Sequence, residues 1–226
     1  MRRSRRYREC AKKVEPKKLY ALDEAIALLK DLDGAKFDET VELVLHLGID
    51  PKKADQNIRG TISLPKGLGR TQRVIVFAEG AQAEEAKAAG ADVVGGQDLI
   101  ERIQGGWLDF DVAIAVPAMM RQVGRLGRIL GPKGLMPSPK SGTVTENIAE
   151  AVREFKAGKI EYRADAGGNV HIPVGKKSFP AEDLKANIEA FIERIRQVKP
   201  PSAKGRYILG AALSTTMGPG VRLAVS

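Results

Sequence analysis

The strongest constraint on the fold is a change in hydrophobic pattern at about residue 68, which reverses at about residue 158. Between these points, continuous apolar runs such as RVIVFA (73–78) alternate with helix-forming segments and short connections. Unbroken apolar runs are typical of strands buried on both faces, and strand–helix alternation favours a parallel sheet covered by helices. Residues 68–158 are therefore predicted to form a Rossmann-like α/β domain, in which residues 118–130 form one helix.

The flanking segments have a different pattern, with half-buried strands and one amphipathic helix each. Neither flank is long enough to bury a sizeable core alone, so we expect the two to pack together. The predicted fold class is α+β with two domains. Domain I is a discontinuous α+β two-layer domain made of residues 1–67 and 159–226, and domain II is the inserted block 68–158.

Two strand pairings are expected within domain I. Residues 40–49 are predicted as a strand because Val41, Leu43, Leu45 and Leu47 alternate with more polar neighbours. A second strand is predicted at 57–65, and the two are expected to pair antiparallel. Residues 159–174 are predicted as a hairpin, since two alternating segments flank a turn that contains glycine.

The charge distribution predicts a polyanionic partner. Residues 1–18 hold nine basic and two acidic residues, whereas the rest of the chain is nearly balanced, with 28 basic and 26 acidic residues. Within this body, basic clusters without any acidic residue lie at 56–78, 112–145 and 194–226. Such clusters attract backbone phosphates. We therefore expect a nucleic-acid partner, with the N-terminal tail as a flexible electrostatic anchor.

Nucleotide, metal and catalytic sites are not indicated. The first strand–helix junction of the central block has one glycine and not the GxGxxG pattern, and no GxxxxGK[ST] spacing occurs, so no cofactor is expected. His46, His171 and Cys10 do not form a converging metal or catalytic group. The sequence has no secretory signal and no membrane-spanning run, so we expect a cytoplasmic protein. Because nucleotide, metal and catalytic motifs are not indicated, we expect that the protein is not an enzyme. A nucleotide-dependent enzyme built on the central block is the alternative.

Three segments combine cations, hydroxyls and glycines in a way that suits RNA. The glycine- and proline-rich segment 124–142 holds Arg125, Arg128, Lys133 and Lys140. In STTMGPG (214–220), three hydroxyl residues and a methionine precede a Gly-Pro-Gly turn. In KFDET (36–40), Lys36 and Thr40 form a weaker candidate for an RNA-facing surface, and the alternative is that Phe37 is a core aromatic that caps the preceding helix. Because the chain has only eleven aromatic residues, recognition of a structured RNA is favoured over stacking on single strands.

The chain resembles the ribosomal protein L-one family, the universal large-subunit family of the mobile side stalk. The resemblance covers essentially the whole chain, and GRILGPKGLMPSPK and TTMGP are the stretches specific to that family. The matching segments are KFDETVELVLHLGIDPKKADQNIRGTISLPKGLG (36–69), GRLGRILGPKGLMPSPKSGTV (124–144), KAGKIEYRADAGGNVHIPVGK (156–176) and STTMGPGVRL (214–223). It implies a discontinuous domain I with an inserted domain II.

The resemblance also implies a function. The protein would be a structural constituent of the cytoplasmic large ribosomal subunit that binds large-subunit rRNA at a helical junction of the side stalk. It would assist release of deacylated tRNA from the exit site, repress translation by binding its own operon mRNA, and be a monomer off the ribosome. A basic chaperone that binds any nucleic acid, mainly through residues 1–18, is the other alternative.

The resemblance assigns the RNA contacts mainly to domain I. The implied RNA-binding residues are Lys36, Phe37, Glu39, Thr40, Arg163, Asp165, His171, Ser214, Thr215, Thr216, Met217 and Gly218. Secondary RNA contacts from domain II would be Arg125, Arg128, Lys133 and Lys140. The sequence departs from the family pattern at one turn, where Ala166 stands in place of the lysine that often follows the aspartate. This departure weakens the expectation of a contact from that turn.

Overall fold

The computed structural model describes residues 3–53 and 55–225 of the protein. The chain divides into two compact units, unit 1 (Met1–Gly69 with Tyr162–Ser226) and unit 2 (Arg70–Glu161). The ends of the predicted domain I, residues 1–2 and 226, lie outside the described residues. We propose that domain I (residues 1–67 and 159–226) and domain II (residues 68–158) act as separate domains.

The regular elements mix helices and strands in both units. The helices are α1 (Arg5–Lys13), α2 (Leu22–Asp31), α3 (Ala81–Ala88), α4 (Gln97–Gln104), α5 (Met120–Val123), α6 (Gly127–Leu130), α7 (Ile148–Lys156) and α8 (Ala181–Gln197). The strands are β1 (Thr40–Leu47), β2 (Arg59–Ser63), β3 (Val74–Phe77), β4 (Val93–Gly95), β5 (Val112–Ala115), β6 (Lys159–Arg163), β7 (Asn169–Lys176), β8 (Ile208–Thr215) and β9 (Val221–Leu223).

Unit 1 is built on a four-stranded antiparallel sheet in the order β7-β1-β8-β9. The alternation in β1 buries Val41, Leu43, Leu45 and Leu47 on one face, as predicted. Helices α2 and α8 pack together and contact the sheet, burying residues such as Leu29, Ile188 and Phe191. Burial of these apolar side chains is the main stabilising term of the unit. The opposite face of the sheet keeps its side chains partly or fully exposed.

The predicted antiparallel pairing of 40–49 with 57–65 is wrong. Strand β1 has β7 on one edge and β8 on the other, so it has no edge left for β2. Strand β2 pairs instead with β6 in a separate two-stranded sheet. The predicted hairpin over 159–174 is correspondingly limited, because β6 and β7 meet only in a bridge between Ala164 and Val170 and then diverge into different sheets.

Unit 2 contains a parallel sheet in the order β4-β3-β5, with its own apolar core drawn from residues 74–155. Strand β3 is buried along its whole length, which explains the unbroken apolar run. The predicted continuous helix over 118–130 is wrong. Residues 117–130 form short turns that alternate between 3₁₀ and α geometry, in a segment where Gly124 and Gly127 lower the helix propensity. The two-domain fold class with α and β elements is confirmed.

The N-terminal segment is ordered, which corrects the expectation of a flexible tail. Ser4 caps α1 by accepting a hydrogen bond from the Tyr7 N–H (3.2 Å). Cys10 and Val14, one helical turn apart, are buried at 2% and 7% exposure. Their spacing is the signal for an amphipathic helix that the high positive charge of the segment obscures.

Candidate RNA-binding surface

Glu39 is the centre of the candidate surface. It is 1% exposed and immediately precedes β1. Its carboxylate accepts hydrogen bonds from the backbone N–H of Ala35 and of Met217 (3.2 Å for Met217), and from the Thr215 side chain. Burial would raise the pKa of Glu39, but these hydrogen bonds and the nearby Arg6 outweigh it and hold the pKa below its ordinary value. Glu39 is therefore an ionised group that joins two loops.

A second set of hydrogen bonds joins the same loops on the solvent side. The Thr40 N–H donates to Thr216 Oγ1 (3.0 Å), and the Thr216 N–H donates to the Thr40 carbonyl (3.1 Å). Lys176 Nζ donates to Thr40 Oγ1 (3.0 Å). The Gly218 N–H donates to the Thr215 carbonyl (3.1 Å), and a Cβ at Gly218 would lie 2.3 Å from Thr215 Oγ1. Glycine at 218 is thus required for the turn to close.

Exposed side chains border these joined loops. Lys36 is exposed, and Phe37 and Met217 are 55% and 51% exposed, which is unusual for large apolar side chains. Ser214 is half-buried on the open face of the sheet, opposite Glu42 of β1. The predicted residues of segments 36–40 and 214–218 are therefore brought together, although they are remote in sequence.

The other predicted group of unit 1 lies around the turn between β6 and β7. Asp165 accepts hydrogen bonds from the N–H groups of Asn169 (2.7 Å) and Gly167 (2.8 Å), and these bonds lower its pKa. His171 Nε2 lies 3.6 Å from Asp165 Oδ2. Asp165 therefore organises its own turn, while Arg163 and His171 are exposed. His171 is on the open face of the sheet, opposite Val44 of β1.

The four predicted cations of domain II lie in unit 2. Arg125, Arg128, Lys133 and Lys140 are all exposed. None of them forms an ion pair with an acidic side chain in the part of the chain that is described. Their charge is thus uncompensated at short range, which suits a phosphate-binding surface.

Arg6 of α1 is a residue that the sequence did not single out. Its guanidinium donates to the carbonyls of Asp33 (2.7 Å) and Met217 (3.1 Å), and lies 3.5 Å from Glu39 Oε1. Helix α1 is thereby tied to both loops of the candidate surface. Arg6, Cys10 and Val14 recur at helical spacing, and this stripe is the signal that could have identified the residue.

Residues 3–53 and 55–225 contain no group of three or more His, Cys, Asp or Glu that could hold a metal ion. Within the same ranges, no helix combines the length and apolarity that a membrane span needs.

The fold and this surface define a class, that of two-unit α/β proteins with a polar face that cations border. The model of the ribosomal protein L1p/L10e family matches residues 29–219. The large ribosomal subunit protein uL1 of Kosmotoga olearia is 58% identical over 222 residues, covering 98% of this chain and 96% of that protein. The large ribosomal subunit protein uL1 of Lactobacillus acidophilus is 56% identical over 219 residues, with 97% and 95% covered. The chain belongs to the ribosomal protein L1p/L10e family.

Family membership bears on the broad predictions. The family consists of structural ribosomal proteins, so the chain is a ribosomal protein and not an enzyme, and its place is the cytoplasm. The nucleotide-dependent enzyme is thereby set aside. The matched range begins after α1, so Arg6 and the rest of that helix lie outside it. The individual contact residues stay predictions.

Proposed function

We propose that the chain is a structural constituent of the large ribosomal subunit that binds rRNA through the open face of the unit 1 sheet. The observation that carries the proposal is the joining of segments 36–40 and 214–218 around Glu39. These two loops are far apart in the sequence. Hydrogen bonds on their buried side and on their exposed side hold them in one geometry. Rigid, positioned polar groups are what specific RNA recognition requires.

The chemistry of the exposed groups suits structured RNA. Lys36 supplies a cation for a phosphate, and the Thr216 hydroxyl can exchange hydrogen bonds with a ribose 2′-OH. Phe37 and Met217 provide exposed apolar surface for a base or a ribose. Glu39 and Thr215 are buried, so we assign them to positioning the loops and not to touching RNA.

The finer functions are also proposed. Release of exit-site tRNA is supported by the exposed cations of segment 124–142, which could hold a tRNA backbone without reading its sequence. Repression through operon mRNA follows if that mRNA presents the same junction shape to the same surface. The monomeric state off the ribosome is proposed from the family resemblance.

The proposal is tested by equilibrium binding of a stalk-region rRNA fragment and of an unrelated duplex of equal length, over a salt series. Thr216→Val leaves the Thr40 N–H without its side-chain acceptor and removes an exposed hydroxyl. We expect it to weaken binding to the fragment by ~1–3 kcal/mol with little change in salt slope. Thr71→Val, an exposed threonine of unit 2, is the matched control.

A preference for the fragment that persists at high salt in the wild type and the control, and falls in Thr216→Val, supports the surface. Equal binding of both RNAs at every salt concentration would instead identify a nonspecific basic nucleic-acid chaperone.

A further inference from the structure

The open face of the unit 1 sheet carries a second feature, an apolar depression of about 560 Å³. Its floor is formed by Val44, Gly210 and Ala212, and the exposed side chains of Leu19 and Leu209 are among its walls. A volume of this size lies within the range of about 300–1,000 Å³ that holds small organic groups. The predicted contact residues do not include any of these five.

Strand register connects this depression with the candidate surface. His171, Val44, Ala212 and Arg222 form one continuous row across β7, β1, β8 and β9. The next row on the same face contains Ser214, opposite Glu42. Neighbouring strands are about 4.8 Å apart, so the floor of the depression begins one strand away from His171. An RNA that lies on the candidate surface therefore reaches the depression without crossing a helix layer.

The apolar groups on this face have an unusual distribution. In the described part of the chain, the large apolar side chains that are exposed are Leu19, Phe37, Leu209 and Met217. Phe37 and Met217 border the joined loops, and Leu19 and Leu209 line the depression. Leu19 is placed there because the following Tyr20 bonds to the edge of β9. Exposed apolar side chains that cluster within a polar rim are typical of a binding site.

The charges around the depression select the kind of ligand. Its lining includes Arg206, Arg222 and His46, and no acidic residue is found among the described residues of the lining. Arg206 is oriented by backbone carbonyls, donating to Ile208 (3.1 Å) and Val225 (3.3 Å). The side chain of Arg222 is exposed and makes no hydrogen bond or ion pair with the described residues. Two guanidinium groups that have no carboxylate partner within residues 3–53 and 55–225 lie beside an apolar floor, and this arrangement is complementary to a nucleotide, which combines a phosphate with a planar base.

We propose that this depression receives one unstacked nucleotide of the same RNA that binds the candidate surface. Its base lies over Val44 and Ala212, and its phosphate pairs with Arg206 and Arg222. The inference rests on the proposed rRNA-binding function and extends it with a subsite that selects RNAs offering an unpaired nucleotide at a set distance from the main contact.

Gly210→Val tests the floor of the depression. A Cβ at Gly210 meets no heavy atom within 4 Å, so a larger side chain fits without a backbone clash and fills the space. Valine also suits a strand. We expect affinity for the stalk-region rRNA fragment to fall roughly tenfold at every salt concentration, because the base can no longer bury its apolar surface in the depression. An unchanged urea unfolding midpoint checks that the variant is folded.

Arg222→Gln tests the phosphate contact. We expect weaker binding and a salt slope reduced by about one, as for the loss of one phosphate contact. Arg194→Gln is the matched control, because Arg194 is an exposed arginine on α8, in the helix layer that covers the other face. It should change binding much less than Arg222→Gln.

The outcomes separate this inference from the proposed function. If Thr216→Val loses the preference for the fragment while Gly210→Val and Arg222→Gln bind like the wild type, the depression is not an RNA subsite and this inference is overturned. If sedimentation shows self-association that Gly210→Val abolishes, with RNA binding unaffected, the depression holds a second copy and the inference is again overturned. If the wild type shows no preference, the proposed function fails first and the inference fails with it.

Discussion

The carboxylate of Glu39 accepts a hydrogen bond from the N–H of Ala35, four residues before it in the chain. It accepts another from the N–H of Met217, 178 residues after it. A glutamate that is 1% exposed would be unfavourable without these donors and the neighbouring Arg6. Because the donors are backbone groups of the proposed RNA surface, the same bonds that keep Glu39 ionised also hold Met217 in place. Stability and recognition are therefore coupled at this residue.

Glu39→Gln is predicted to destabilise unit 1 by about 1–3 kcal/mol, since the new amide NH₂ faces N–H donors and leaves one of them unpaired. The effect should depend on pH. The folded pKa of Glu39 lies below its ordinary value of 4.5, so its contribution is present above that pH and is lost as the pH falls through the folded pKa. The difference in urea unfolding free energy between wild type and variant should accordingly shrink as the pH falls below 4.5 and through the folded pKa.

Glu193→Gln, at an exposed position on α8, is the control and should leave the unfolding free energy nearly unchanged. A difference between wild type and Glu39→Gln that stays constant over this pH range would contradict an ionised Glu39 in the folded state.

At the scale of elements, the N-terminal charges lie on an ordered helix, α1, and not on a flexible tail. The sequence indicates an electrostatic anchor, which would contribute affinity without specificity. The structure shows a capped helix whose Cys10 is buried and whose Arg6 bonds to Asp33, Glu39 and Met217. The helix therefore contacts both loops of the candidate surface, and we expect its buried and exposed cations to have different effects.

Arg6→Gln and Arg8→Gln remove the same charge from the same helix and should differ in effect. Arg8 is exposed, so its loss should lower affinity for the rRNA fragment mainly at low salt. Arg6 is partly buried and bonds to Glu39 and to the Met217 carbonyl, so its loss should release the loop that carries Met217. We therefore expect affinity to fall severalfold at high salt as well. If both variants lose affinity equally and only at low salt, α1 acts as a nonspecific electrostatic anchor. Deleting residues 1–9 should reproduce the Arg6 phenotype and reduce discrimination between RNAs.

At the scale of the whole molecule, the two units have separate cores. The apolar cluster of unit 2 is drawn entirely from residues 74–155, and the sheet of unit 1 is covered by its own helices α2 and α8. Each unit is compact by itself, as a segment that folds independently must be. The proposed rRNA contacts of unit 1, including the depression, do not require residues of the inserted block.

Replacing residues 70–158 with a short glycine–serine linker keeps the β2–β6 pair and should leave a folded unit 1 that still prefers the rRNA fragment. We expect cooperative unfolding in urea and affinity reduced by less than about tenfold, because the lost cations supply background attraction and not discrimination. The full-length chain with Arg125→Gln and Arg128→Gln is the control, and should lose affinity to a similar extent. Loss of all preference on deletion, with the fold intact, would show that specificity depends on unit 2.

The sequence by itself determined the properties that local periodicity encodes. Residues close together in the chain predict three features. These are the buried face of β1, the unbroken core strand β3 and the change of pattern that marks the inserted α/β block. The motifs in 127–140 and 215–219 likewise indicated the family, because short motifs are readable without a fold.

Only the tertiary structure decided which strands pair and which charged residues are buried. Strand β1 lies between β7 and β8, more than a hundred residues away, because pairing is chosen by the packing of whole faces and not by adjacency in sequence. The same long-range packing buried Glu39, ordered α1 around Arg6, and aligned His171, Val44, Ala212 and Arg222 in one row. No local pattern contains that information, since each contact joins segments whose distance in space is set by the complete sheet.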